Sequence, residues 1–304
     1  MIDITLKQLL EAGCHFGHKA ERWHPKAGDF IYTEKDGIHI IDLVKTKTGL
    51  DAAMDFVRGL GESGDTVLFV GTKRQARDIV RNSAENAKAA YIVERWIGGF
   101  LTNWEGIHRN IQKINKLSEE ERTGAWKKKI PKHEQMKLSR YLARLKVFYG
   151  GVLFLDKPPA AVFVVDIKKE ISAVREAIRC NIPIIAIVDT NSDPTLVTYP
   201  IPANDDAVGS IGIITDGVAK AFFEGKEVAE KNRAVEADKK AKEEKKNPPA
   251  GGEKMMEKPA EKKTEETKAE ESKAAPAAIK PEPAEEKKAD AKPKAKKDKK
   301  VAAK

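Results

Sequence analysis

The sequence is poor in cysteine and has no long apolar run. Its two cysteines among 304 residues, Cys14 and Cys180, exclude a disulfide-rich secreted fold and favour a reducing compartment. No apolar run reaches the roughly 18 residues of a membrane span, and residues 1–5 lack the charged start of a signal peptide. We therefore expect a cytoplasmic protein with no membrane partner.

Nucleotide-binding signatures are also missing. The sequence has no Gly-x-Gly-x-x-Gly, and the segment 71–74 lacks the spacing of a Walker loop. No Ser-His-Asp or Cys-His set can be argued from the spacing, so we expect no enzyme, no cofactor and no small-molecule substrate. The alternative is a doubly wound enzyme that holds a nucleotide or phosphate near Gly71 and Lys73, since a helix start after a buried strand attracts phosphate.

The end of the chain lacks aromatic residues altogether. Residues 247–304 contain no Phe, Trp, Tyr or Arg, and they hold 16 Lys against 12 acidic residues. Such a segment cannot bury enough apolar area to offset its ordering entropy. We predict a charged, largely disordered tail over residues 236–304, which either keeps the protein soluble or touches RNA loosely. Of the net charge of +9, +5 belongs to residues 1–246, which favours a polyanionic partner.

Helices and strands alternate through most of the remaining chain. The predicted buried strands are 66–70, 90–93, 161–165 and 182–188. This alternation predicts a mainly parallel α/β sheet with helices on both faces. Pro200 and Pro202 restrict the last strand to an edge of the sheet. Near the N-terminus, Asp36 and Gly37 predict the turn of a β-hairpin.

Residues 102–149 interrupt the alternation. Apolar residues recur there every three or four positions in two stripes: Trp104, Ile107, Ile111, Ile114 and Leu117 in the first, and Leu138, Leu142, Leu145 and Phe148 in the second. Two narrow stripes predict an antiparallel coiled-coil hairpin. We expect it to be inserted into a discontinuous core domain of residues 1–101 and 150–235.

Basic residues occupy the outer side of this predicted hairpin. Arg109, Lys113 and Lys116 form a row about 200° from the apolar stripe. Further basic positions lie in the connecting loop and on the second helix: Lys127, Lys128, Lys129, Lys132, Lys137, Arg140 and Arg144. We predict that they contact RNA phosphates. The alternative is an ordinary solvated helix surface.

Other candidate RNA contacts lie outside the hairpin. They are His18, Arg22 and Trp23 near the N-terminus, Lys73 and Arg74 after a buried strand, and Arg95, Trp96, Asn103 and Trp104 before the hairpin. Histidine and tryptophan in basic loops can stack on bases or bond phosphates. The paired glycines at 98 and 99 let the backbone turn at this junction.

Two groups of residues in the sequence are candidate metal ligands. Asp166, Asp189 and Asp193 follow predicted strands and could hold magnesium, but residues 189–194 have the composition of a turn that bonds its own backbone. We favour the turn. The spacing of Cys14, His15, His18 and His24 fits no zinc motif, so we predict no metal.

Eight blocks of the sequence closely resemble, in the same order, the bacterial small-subunit ribosomal protein two family, or S-two family. The blocks are residues 13–18, 23–26, 37–43, 69–73, 95–99, 101–104, 189–194 and 201–206. The resemblance extends from about Leu6 to Gly225. Eight blocks in order are more specific than any single motif among them.

The resemblance implies a flavodoxin-like α/β domain with an inserted coiled-coil hairpin. It also implies binding to small-subunit rRNA between the head and the body, contacts with neighbouring ribosomal proteins, and docking of the S-one protein. No catalysis and no homo-oligomer are expected. This sequence departs from the family's pattern at residues 27–29 and 153–157, so the resemblance does not predict how these residues pack.

Overall fold

A computed structural model describes residues 4–126 and 130–246, with side chains described up to residue 232. The predicted tail beyond residue 246 and the predicted contacts Lys127, Lys128 and Lys129 lie outside the described residues. Within the described residues, no helix is both long and apolar enough to cross a membrane.

The described residues form eight strands and seven α-helices. The strands are β1 Phe16–Lys19, β2 Ile31–Lys35, β3 Ile38–Ile41, β4 Val67–Val70, β5 Ala90–Ile92, β6 Ala161–Val164, β7 Ile184–Val188 and β8 Tyr199–Pro202. The helices are α1 Leu6–Glu11, α2 Leu43–Ser63, α3 Arg77–Asn86, α4 Trp104–Arg122, α5 Lys132–Tyr149, α6 Ile171–Arg179 and α7 Val208–Lys246.

Strands β4 to β8 form a parallel sheet in the order β5-β4-β6-β7-β8. Every residue of β4, β6 and β7 is buried, because helices or the hairpin segment cover both faces of the sheet. This order corresponds to the 2-1-3-4-5 arrangement of flavodoxin-like folds. The predicted fold class is therefore confirmed, and β8, with its two prolines, lies at the edge as expected.

Helix ends follow local sequence signals. The Asp42 carboxylate accepts a hydrogen bond from the Val44 amide at the start of α2, and Gly64 ends that helix with φ +78°. Helix α2 packs closely on α7, where a Cβ added at Gly61 would lie 2.5 Å from the Phe222 carbonyl oxygen. Helix α7 continues to Lys246, so residues 236–246, which the sequence analysis assigned to the disordered tail, are helical.

A second, antiparallel sheet has the order β1-β3-β2. Its β2–β3 turn places Asp36 at φ 54° and Gly37 at φ 74°, as the sequence predicted. Strand β1 lies in a stretch of polar residues around Gly17 that has no alternating strand pattern in the sequence. Only glycine fits at position 17, because a Cβ would lie 2.7 Å from the Thr190 methyl carbon.

The parallel sheet has a hydrophobic core on each face. On one face, Phe69 and Phe163 pack with ring centroids 5.2 Å apart, under α2, α3 and α7. On the other face, Leu68 and Val162 belong to a cluster that includes Ile107 and Leu142 of the hairpin helices. The hairpin is therefore anchored through the same core that holds the sheet.

Candidate nucleic-acid interface

Helices α4 and α5 form the predicted antiparallel pair. Ile107, Ile111 and Ile114 of α4 are buried, and Leu142 of α5 is fully buried opposite them. The two helices are tied near their far end, where the Ser139 hydroxyl donates to the Glu121 carboxylate at 2.8 Å. The apolar stripes predicted from the sequence are therefore the seam of the pair.

The basic residues of the pair face solvent. Seven exposed positions carry them: Arg109, Lys113, Lys116, Lys132, Lys137, Arg140 and Arg144. Arg109 lies 3.6 Å from Glu105, and the Lys113 ammonium lies 6.0 Å from the centre of the Tyr141 ring. Among the described residues, the other five have no carboxylate at ion-pair distance, so their charge is available to a partner.

Charge is concentrated in this part of the chain. Residues 104–149 contain 12 Lys and Arg against five acidic residues, a net charge of +7. Because residues 1–246 together carry +5, everything else in that range carries −2. The net positive charge of the hairpin is therefore larger than that of residues 1–246 taken together.

The segment before the hairpin is held by Glu176 of α6. Its Oε1 accepts hydrogen bonds from the Trp96 indole at 2.9 Å and the Gly99 amide at 2.8 Å, and its Oε2 accepts one from the Leu101 amide at 3.1 Å. Gly99 has φ +81°, a conformation that favours glycine. One carboxylate therefore fixes the chain just before α4.

This geometry changes the role of two predicted RNA contacts. Trp96 is only 8% exposed, and its one polar atom is bonded to Glu176, so it acts in the core rather than as a base platform. Trp104 is half-buried between Phe100 and His108. Arg95 and Asn103 are exposed and accessible.

Lys73 does not offer its charge to solvent, contrary to the sequence prediction. Its side chain is 13% exposed, and its ammonium lies 2.8 Å from Asp205, 2.7 Å from Asp206 and 3.3 Å from Asp166. Burial alone would lower the pKa of Lys73, but these carboxylates outweigh it and raise the pKa above its ordinary value. The adjacent Arg74 is exposed.

The alternative phosphate pocket beside Gly71 is filled. A Cβ at Gly71 would lie 2.8 Å from Val80, and the Thr72 amide donates to the buried Glu170 carboxylate at 3.0 Å. The Lys73 ammonium neutralises carboxylates instead of a phosphate. Gly71, Thr72 and Lys73 are thus engaged within the protein.

His18 is also engaged with carboxylates. Its Nδ1 lies 3.0 Å from Asp189 and its Nε2 lies 3.5 Å from Asp206. The hydrogen bond to Asp189 is the main reason that the pKa of His18 is raised. Arg22 and Trp23, on the neighbouring loop, are both exposed and stay available.

Among the described residues, His18, Asp189 and Asp205 are the group whose donor atoms come together, all within 4.8 Å of one another. Burial, with the carboxylates of Asp166 and Asp189, raises the pKa of Asp205 to about 7, and its Oδ2 has no hydrogen-bond partner. One imidazole and two carboxylates suit a divalent cation such as zinc, although the Lys73 ammonium already supplies positive charge there.

The magnesium alternative required Asp193 to lie beside Asp166 and Asp189, but Asp193 is not part of this cluster. Its carboxylate accepts from Lys26 at 2.8 Å and from the Thr195 amide at 3.0 Å. These hydrogen bonds outweigh the effect of burial and lower the pKa of Asp193 to about 2. The favoured interpretation, a turn that bonds its own backbone, describes this segment.

Comparison with known proteins gives the family. The profile of the family described as Ribosomal protein S2 matches residues 9–225. The chain belongs to this family. It is 51% identical over 227 residues to the small ribosomal subunit protein uS2 of Coprothermobacter proteolyticus, covering 75% of this chain and 84% of that protein.

Two further relatives carry the same description. The uS2 protein of Dictyoglomus thermophilum is 46% identical over 244 residues, which is 80% of this chain and 97% of that protein. The uS2 protein of a Synechococcus strain is 47% identical over 226 residues, or 74% and 85%. The chain is therefore a structural protein of the small ribosomal subunit and not an enzyme, and the S2 resemblance seen in the sequence is confirmed.

Proposed function

We propose that the α4–α5 hairpin is the arm through which this protein grips small-subunit rRNA, between the head and the body of the subunit. The observation that carries the proposal is the net charge of +7 on residues 104–149. A concentration of lysine and arginine on one element neutralises phosphates and releases their counterions.

The charges are arranged for an external partner. Lys116, Lys132, Lys137, Arg140 and Arg144 are exposed and, among the described residues, unpaired with acids. The relatives of this chain are small-subunit ribosomal proteins, and the polyanion of the ribosome is rRNA. Lys127, Lys128 and Lys129 remain proposed RNA contacts on the basis of the sequence. Exposed Arg22, Trp23, Arg74, Arg95 and Asn103 are proposed as secondary contacts. Lys73 and His18 are bound to carboxylates, Trp96 is buried and Trp104 is half-buried, so none of these four is proposed as a contact.

An incorporation experiment tests this proposal. Small subunits assembled without the protein are mixed with the full chain or with a variant in which Lys132, Lys137, Arg140 and Arg144 are all changed to Gln. The control variant removes four exposed charges from the region of α6, at Lys168, Lys169, Arg175 and Arg179. We expect the hairpin variant to be incorporated at least tenfold less well. Equal incorporation of both variants would contradict the proposal.

We further propose that the far end of the hairpin helps to dock the S-one protein. An open groove there is lined by Trp126, Gln135 and Met136 among others, and Met136 is 57% exposed. An exposed apolar side chain over a buried tryptophan suits a protein partner better than a phosphate.

Met136→Asp tests this second role. The added charge should reduce retention of the S-one protein on assembled subunits, while incorporation of the variant itself stays unchanged. Val147→Asp, at an exposed apolar position near the other end of α5, is the control. Full retention with Met136→Asp would place the docking surface elsewhere.

A further inference from the structure

The outer face of the small β-sheet has an unusual composition for a solvated surface. The register places Phe16 and Thr33 on either side of Ile40, and Lys19 and Lys35 on either side of Ile38. Directly paired residues of antiparallel strands point to the same face, and residues two apart on one strand do so as well. These six side chains therefore form one surface, which we call the β-face.

The β-face is both apolar and open. Phe16 is 48% exposed and Ile38 is 37% exposed. The solvated face of an antiparallel sheet usually carries polar side chains. The opposite face is conventional, since His39 and Ile41 are buried there against the rest of the protein. The exposure of Phe16 and Ile38 thus calls for a partner.

Charge indicates the kind of partner. Lys19 and Lys35 are exposed, and neither has an ion-pair partner among the described residues. The acidic residue of β2, Glu34, lies opposite His39 in the β2–β3 register, and its side chain therefore points to the other face of the sheet. Within the described strands, the β-face carries two positive charges and no negative one, although the folded region outside the hairpin carries −2 overall.

We propose that the β-face binds an unpaired nucleotide of the small-subunit rRNA. Its base would stack on the Phe16 ring, beside Ile40, and the flanking phosphates would contact Lys19 and Lys35. Aromatic side chains on a sheet are a general platform for unpaired bases. This inference rests on the proposed rRNA binding but assigns it a second contact, separate from the basic hairpin.

The first test is photo-crosslinking in assembled subunits. A photoreactive phenylalanine analogue is placed at position 16 of the full chain, with the same analogue at exposed Ile178 of α6 as control. We expect a crosslink to rRNA from position 16 only. A crosslink from position 16 to a ribosomal protein, or no crosslink, would overturn the inference.

The second test measures affinity for subunits that lack the protein. Phe16→Ala should weaken binding about tenfold, the effect of one lost stacked base, while Phe16→Tyr should bind like the parent because it keeps the ring. Ile178→Ala controls for the loss of an exposed apolar side chain. Unchanged affinity of Phe16→Ala would also overturn the inference, once urea unfolding has shown that the variants are folded.

The hairpin variant described above is measured in the same assay. If it binds weakly while Phe16→Ala binds normally, the β-face inference fails and the hairpin proposal stands. If the parent chain binds subunits without contacting rRNA, both fail together. Lys19→Gln with Lys35→Gln should reduce the dependence of log affinity on log salt by about 1.4, two contacts to a single strand.

Discussion

The indole nitrogen of Trp96 lies 2.9 Å from Oε1 of Glu176 and donates a hydrogen bond to it. The same carboxylate accepts two backbone amides, at Gly99 and Leu101. Because α4 begins three residues after Leu101, Glu176 connects α6 to the start of the hairpin. Together with the shared hydrophobic core, this side chain fixes the direction in which the basic surface is presented.

Replacing Glu176 should therefore destabilise the protein. Glu176→Ala leaves three donors without their acceptor, and we expect a loss of about 3 kcal/mol in the free energy of unfolding. Glu176→Gln keeps one oxygen and should lose less. Urea unfolding measures both, with exposed Arg175→Ala on the same helix as control. If Glu176→Ala unfolds like the control, the three hydrogen bonds do not hold the junction.

Much of the architecture follows from local patterns in the sequence. The strands β4 and β6 are short runs of apolar residues, and the stripe through Ile107, Ile111 and Ile114 has helical spacing. The β2–β3 turn at Asp36 and Gly37 follows from the left-handed preference of these residues. Each signal lies within a few neighbouring residues, so it can be recognised without the fold.

The polar contacts could not be predicted in this way, because their partners are far apart in the sequence. Glu176 is 77 residues from Gly99, and nothing in its own helix marks it. Lys73 looked like a phosphate ligand because its carboxylate partners follow two other strands, β6 and β8. Strand β1 was missed because its pairing depends on β3 and on the contact between Gly17 and Thr190.

Removing the Lys73 ammonium should be costly. Lys73→Met would leave the carboxylates of Asp166, Asp205 and Asp206 close together without their shared cation. We expect the free energy of unfolding at pH 7 to fall by about 3 kcal/mol or more. Lys168→Met, at an exposed position, is the control and should change it by less than about 0.5 kcal/mol. A similar small effect of both variants would mean that Lys73 is free to bind a ligand.

Asp205 should make stability depend on pH. Its pKa is about 7 in the folded protein, above the ordinary aspartate value of 3.8, so the folded state holds the proton more tightly. Its contribution is complete below about pH 4 and is lost as the pH rises to about 7. We expect Asp205→Asn to flatten the stability profile over this window by about 2 to 4 kcal/mol.

Urea unfolding at intervals between pH 4 and pH 7.5 measures this difference between the variant and the parent. Asp29→Asn, at an exposed position, serves as the control and should follow the parent profile. Parallel profiles for the parent and Asp205→Asn would contradict the assignment of a raised pKa to this carboxyl.

The salt dependence of binding tests the central claim most directly. The affinity of the full chain for small subunits that lack it is measured from 50 to 300 mM salt, for the parent and for the variant with Lys132, Lys137, Arg140 and Arg144 changed to Gln. If the hairpin neutralises phosphates, the slope of log affinity against log salt should fall by about 3, while the variant at Lys168, Lys169, Arg175 and Arg179 keeps the parent slope. An unchanged slope in the hairpin variant would show that these side chains face water and that the protein holds rRNA by another surface.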